Sequence, residues 1–180
     1  MNCSIIIPVE EQETELRQLL PRVLQMAYGD DYEVIVVDKR HDKDLEEWLQ
    51  DMEVHYPHLN HTFCSTTSRG IDTHKLALIL GAKAANFDWL VLLPVYATLE
   101  REDWLTELTS RWDAGRDVQV GIVGRRRWGR FRSWLFRRRF RLFRPTPHVI
   151  LCRRSYLLEG KDKPACLKKT DIIKLQNSRV

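Results

Sequence analysis

Cysteine is scarce in this chain, with 4 among 180 residues, and the four stand far apart. Cys3, Cys64, Cys152 and Cys166 form no Cys-x-x-Cys pair and meet no histidine at zinc spacing. That argues against a disulfide framework or a zinc module and predicts free, buried thiols in a reducing cytosol. Long apolar runs are missing too. The longest one near the middle, Trp89 to Val95, is far too short to span a bilayer. No basic segment and no cleavage site surround Ile5-Ile6-Ile7, so no secretory signal peptide is expected. Internal repeats are absent. Apolar residues make up 43% and charged residues 30%, which excludes a disordered or collagen-like chain. A single folded domain over residues 1–180 is the expectation.

Acidic residues are missing from one stretch only. Arg125 to Arg144 holds ten arginines and no carboxylate, whereas the rest of the chain carries 19 basic residues against 25 acidic ones. The net charge of +4 therefore hides an acidic domain with a very basic arm at 125–144. A polyanion or a membrane would dock there.

Elsewhere the pattern alternates between two periods. Cys3 to Val9, Tyr32 to Asp38 and Trp89 to Leu93 are continuous apolar, largely β-branched runs, as in strands buried on both faces. Glu11 to Met26 repeats leucines at helical spacing (Leu16, Leu19, Leu20, Val23, Leu24), and Gly29-Asp30-Asp31 stops it. Further helices are expected over Asp42 to Met52, with Leu45, Trp48 and Leu49 inward, over Asp72 to Asn86, with Leu76, Leu80 and Ala84 inward, and over Glu102 to Trp112. Shorter strands are expected at His61 to Cys64, Gln119 to Val123 and His148 to Cys152. Alternating solid strands and helices predict an α/β domain, a mainly parallel sheet with helices on both faces, and ligand binding at the carboxyl ends of its strands.

Four blocks in this order carry a resemblance. Ser4-Ile5-Ile6-Ile7-Pro8-Val9 leads through a helix to Glu33-Val34-Ile35-Val36-Val37-Asp38. Arg69-Gly70 and a helix ending Gly81-Ala82-Lys83-Ala84-Ala85 lead to Trp89-Leu90-Val91-Leu92-Leu93, and Glu102-Asp103-Trp104-Leu105 follows. From Cys3 to Leu108 this resembles the family 2 glycosyltransferases. The resemblance implies the Rossmann-like GT-A fold of nucleotide-diphospho-sugar transferases, a nucleotide-sugar donor, and a manganese or magnesium ion held by an Asp-x-Asp motif. It also places donor contacts at Pro8, Asp38 and Lys39.

The chemistry residues depart from that pattern. The Asp-x-Asp position is occupied by Pro94, Val95 and Tyr96, none of which supplies a carboxylate to a hard cation. Where the family commonly has Asp-Asp, with the second Asp reading the base, this chain has Asp38-Lys39, a donor in place of an acceptor. No cofactor is evident from the residues themselves. Val149-Ile150-Leu151-Cys152-Arg153-Arg154-Ser155 resembles the family's later strand, and Asp171 then falls near its catalytic base; a capping or surface aspartate is the reading we favour. Asp38 reads equally as a ligand contact or as a turn former. Glu10 and Glu11 read as the acidic first turn of a helix. His55, His58 and His61 read as loop histidines, and His74 as a capping or interhelical contact.

In the arm, six aromatic residues interleave with the arginines. At about 100° per residue, Trp128, Phe131, Leu135 and Leu142 share one helix face and Arg126, Arg130, Arg137, Arg141 and Arg144 lie opposite. With Trp134 alongside, this describes an interfacial helix for an anionic membrane surface. Packing of the aromatics on the domain is the second reading, and single-stranded RNA is the weakest. Two functions follow. One is sugar transfer from a nucleotide-sugar to a membrane-associated glycan or lipid acceptor, by a cytoplasmic protein peripheral at the inner face. The other is a non-catalytic relative that keeps the fold and serves as a membrane-associated binding or assembly partner.

Overall fold

The computed structural model describes residues 1–64, 73–99, 101–112, 118–122, 148–158 and 172–174. Its strands start where the apolar runs do. β1 (Cys3–Val9) and β2 (Tyr32–Asp38) have the expected boundaries, and every residue of Ser4 to Ile7 and Val34 to Asp38 is buried. Between them, α1 (Glu13–Leu24) buries all five of its expected apolar positions. α2 (Lys43–His55) is capped by Asp42, whose carboxylate accepts from the amides of Asp44 and Leu45, so this start is fixed by a side chain. β3 (Leu59–Phe63), α3 (Thr73–Ala84), β4 (Trp89–Leu92), α4 (Trp104–Ser110), β5 (Val118–Ile122), β6 (His148–Arg153), α5 (Arg154–Leu158) and β7 (Ile172–Lys174) complete the described elements.

The strands form one seven-stranded sheet in the order β3-β2-β1-β4-β6-β5-β7. β1 pairs in parallel with β2 and β4, β2 with β3, and β5 with β7. β6 runs antiparallel to both β4 and β5. The sheet is thus mainly parallel, as expected, with one reversed strand inserted.

Alternation along β1 divides the core. Ile5 and Ile7 pack with Leu16, Leu20, Leu49, Trp104 and Leu105 on the face covered by α1, α2 and α4. Ile6 packs with Ala77, Ala82, Leu90 and Cys152 on the face of α3. Helices lie on both faces, which explains why the strands read as solid apolar runs.

α3 differs from its expected stripe. Its buried residues are Ala77, Gly81 and Ala82; Leu76 and Leu80 are half-buried, and Ala84 is exposed. The cause is close approach to β1: a Cβ on Gly81 would sit 2.6 Å from Ile6 Cγ2. Small residues face the sheet there, and the leucines pack at the margins. Among the described residues no helix is long and apolar enough to cross a membrane.

Candidate functional site: a cleft at the carboxyl ends of the strands

β1, β2 and β4 end side by side, and beyond their carboxyl ends lies a cleft of about 370 Å³. Pro8 lines it from β1 and Glu10 from the connection after it, Lys39 from the residue after β2, and Leu92 from β4 with Leu93, Pro94, Val95 and Tyr96 just beyond. Gln12 comes from the start of α1, His74 and Leu78 from α3, and Ile150 from β6. Five of the residues singled out from the sequence, namely Pro8, Lys39, Pro94, Val95 and Tyr96, therefore share one cavity. Asp171 and the arm residues Arg130, Trp134, Arg137 and Arg141 lie outside the described residues.

Asp38 ends β2 nearly buried, at 5% exposure. One carboxylate oxygen accepts from the Arg40 amide at 2.8 Å and the other from the Asp42 amide at 2.6 Å. This is turn-forming geometry, and the turn carries His41 into the left-handed region at φ 57°. The His41 ring stacks on Phe63, with centroids 3.7 Å apart. Both Asp38 oxygens are thus engaged by backbone, and it is Lys39 that faces the cleft.

Lys39 is fixed from two sides. Its amide donates to the Val9 carbonyl at 2.9 Å, continuing the ladder between β1 and β2. Its ammonium donates to Glu10 Oε2 at 2.6 Å. Glu10 is not part of the first helical turn, because α1 begins three residues later at Glu13. It lies on the connection between β1 and α1, where the Lys39 hydrogen bond and charge hold its carboxyl below its ordinary value of 4.5. Glu11 instead faces Arg40 at 3.7 Å, both exposed.

A divalent cation finds little here. Glu10 is the one carboxylate among the cleft residues, and Lys39 already occupies it. Pro94, Val95 and Tyr96 supply no hard charged oxygen, and among the described residues no group of three His, Cys, Asp or Glu comes together. Among the described residues, the donor set does not fit a resident manganese or magnesium ion. The three histidines expected in a loop also separate, and only His58 is in one: His55 ends α2 and His61 lies in β3. His55 contacts its own helix backbone, His61 pairs with Glu53 at 2.7 Å, and His58 meets the edge of Tyr32.

Glu10, Gln12 and His74 were not recognised as neighbours from the sequence. The signal for Glu10 was present: β1 and β2 pair with a constant offset, Cys3 with Tyr32 through Val9 with Asp38, and one further step brings Glu10 to Lys39.

The family model described as Glycosyl transferase family 2 matches residues 4–163. The chain belongs to this family. Its solved relatives agree on the fold. A mannosyltransferase, PcManGT from Pyrobaculum calidifontis, in complex with GDP-Man and Mn2+, is 19% identical with a TM-score of 0.61; 88% of this chain covers 46% of that one. S. aureus TarS 1–349 is 17% identical with a TM-score of 0.58, over 89% of this chain and 49% of that one. The same TarS segment in complex with UDP-GlcNAc matches at 21% identity and a TM-score of 0.50, over 70% and 36%. A CMP:2-keto-3-deoxy-manno-octonic acid synthetase complexed with CTP shares the fold at 12% identity and a TM-score of 0.57, over 93% of this chain and 80% of that one. No curated protein matches the chain significantly. This family 2 chain spans about half the length of these first two solved structures.

Proposed function

We propose that this family 2 domain takes the diphosphate of a nucleotide-sugar in the cleft against Lys39, without a divalent metal, for sugar transfer to a membrane-associated glycan or lipid acceptor. The observation that carries the reading is the Lys39 ammonium, set in the cleft at the carboxyl end of β2 while residues 94–96 of the same cleft hold no carboxylate. A departing diphosphate gains negative charge, and a positioned cation lowers that cost whether it is a metal or a side chain. An ammonium at a strand end is a compact point charge suited to phosphate oxygens. The relatives bound to GDP-Man and UDP-GlcNAc support the donor class. The arm at 125–144 supports a membrane-side acceptor through its charge and interleaved aromatics.

A second reading is favoured by one specific contact. Lys39 is already neutralised by Glu10, and the Asp-x-Asp carboxylates are gone, as in a non-catalytic relative that serves as a binding or assembly partner. Calorimetric titration of the chain with UDP and GDP, with and without manganese, separates the two. The transferase reading expects binding that manganese leaves unchanged and that Lys39→Ala weakens about tenfold, the worth of one charge-assisted contact. Binding that requires manganese overturns the metal-free site. Absence of binding by the folded protein favours the non-catalytic relative.

A further inference from the structure

The cation of this cleft is held by the chain's own carboxylate. Glu10 Oε2 accepts from Lys39 Nζ at 2.6 Å, and both side chains line the cavity. The two partners are unequally placed. Lys39 is 10% exposed and Glu10 is 48% exposed. The ammonium is therefore set in the wall, while the carboxylate approaches it from the solvent side. Glu10 is the partner open to solvent; Lys39 is the one packed in.

A carboxylate and a phosphate oxygen are equivalent partners for an ammonium, since each accepts a charge-assisted hydrogen bond. Lys39 has further donors, but two anions in one small cleft repel, so a phosphate group reaching Lys39 is opposed by Glu10 and gains when Glu10 swings away. We infer that Glu10 is an internal competitor for the anion site of this cleft, a carboxylate that occupies Lys39 until a phosphate-bearing ligand replaces it and so sets the affinity for that ligand. The inference rests on reading the cleft as a diphosphate site. It adds that the affinity is held down by one replaceable contact.

The test is titration of the full chain, without metal, with UDP, GDP and inorganic pyrophosphate as probes. The variants are Glu10→Gln, Lys39→Met, the double variant, and Glu11→Gln. Glu11 has the same charge as Glu10 but faces Arg40 outside the cleft, so Glu11→Gln controls for net charge. Removing the competitor and its repulsion is expected to tighten binding about five- to twentyfold in Glu10→Gln. Glu11→Gln is expected to change binding by less than about twofold, as a screened surface charge does. The double variant is expected to lose the gain, because the freed cation is no longer there. Equal tightening in Glu11→Gln and Glu10→Gln overturns the inference, as does a gain that survives Lys39→Met. Lys39-dependent binding that Glu10→Gln leaves unchanged overturns this inference alone. Absence of binding in both the wild type and Glu10→Gln overturns the diphosphate reading with it.

Discussion

Glu10 and Lys39 stand 29 residues apart in the chain and 2.6 Å apart in space. The same separation joins Asn2 with Asp31 and Ser4 with Glu33 at the opposite ends of the two strands. One parallel register thus aligns polar pairs at both ends of an otherwise apolar β1–β2 ladder. Of the two amino-end pairs, Asn2–Asp31 is exposed, and Ser4–Glu33 is buried and structural. The pair at the carboxyl end opens on the cleft.

The carboxyl-end pair predicts an acid-sensitive contact. Hydrogen bonding and charge from Lys39 depress the Glu10 carboxyl below 4.5. A depressed value means that the stabilisation is fully present above 4.5 and fades as the pH falls through the lower folded value. Glu10 is half-exposed, so solvent screens the pair and the effect on stability is small. The sensitive readout is the carboxyl carbon shift of Glu10 by NMR. Its midpoint should lie below 4.5 in the wild type and move up toward 4.5 in Lys39→Met. A midpoint unmoved by that substitution would remove Lys39 as the cause.

The buried amino-end pair predicts a large structural cost. Glu33 is 5% exposed and accepts from Ser4 Oγ at 2.6 Å, from the Asn86 amide at 2.6 Å and from Asn86 Nδ2 at 2.7 Å. It ties β1 and β2 to the turn before β4. Glu33→Ala strands these donors and should cost about 2–4 kcal/mol in urea unfolding. Nucleotide affinity should stay unchanged, because the cleft lies at the other end of the strands. A parallel loss of affinity in the folded variant would show that the two ends are coupled.

Gly81 predicts a packing conflict with a defined partner. A methyl group there would meet Ile6 Cγ2 at 2.6 Å, with Cδ1 and Cγ1 at 3.2 and 3.3 Å. Ile6 is fully buried and β-branched, so it has little room to yield. Gly81→Ala should destabilise by about 1–3 kcal/mol. Combined with Ile6→Ala it should cost less than the two single changes together, since the second removes the clash. Strict additivity would mean that the helix moves away from the sheet.

The strand and helix pattern was legible wherever burial was two-sided. β1 and β2 have no polar interruption from Ile5 to Ile7 and from Val34 to Val37, and their ends were found to the residue. β7 is only three residues long and ends in a lysine, too short for a periodic signal, so no strand is expected there from the sequence. The reversal of β6 was not readable, because a buried strand has the same composition in either direction. At the site, the absent carboxylates at 94–96 and the lysine at 39 were visible in the sequence. The capture of that lysine by Glu10 was not, because it depends on strand register, which local periodicity does not encode.

The cysteines predict selective inertness. Cys3 and Cys152 are 0% and 1% exposed, and burial pushes both thiols up to about 12. At pH 8 the thiolate fraction is then on the order of 10⁻⁴, and burial shields both sulfurs from reagent. Iodoacetamide should leave both unlabelled over hours in the native protein and label both in urea, as read by peptide mass spectrometry. Native labelling at the denatured rate would mean that the sheet opens locally around β1 or β6.

The arginine arm carries the membrane part of the proposal on sequence alone, so its test must separate charge from stacking. Near an anionic surface each arginine contributes about 1 kcal/mol, and the effect fades beyond a Debye length. Replacing Arg130, Arg137 and Arg141 with alanine should therefore weaken binding to vesicles containing phosphatidylglycerol on the order of a hundredfold at low salt. Raising the salt should weaken the wild type in the same direction. Trp134→Ala removes interfacial apolar contact and should lower vesicle affinity with little change in the salt dependence. An arm that packs on the domain would give no vesicle binding and a loss of thermal stability in Trp134→Ala. An arm that binds RNA would hold a single-stranded oligonucleotide more tightly than the vesicles, and Trp134→Ala would cost it stacking of about 1–3 kcal/mol.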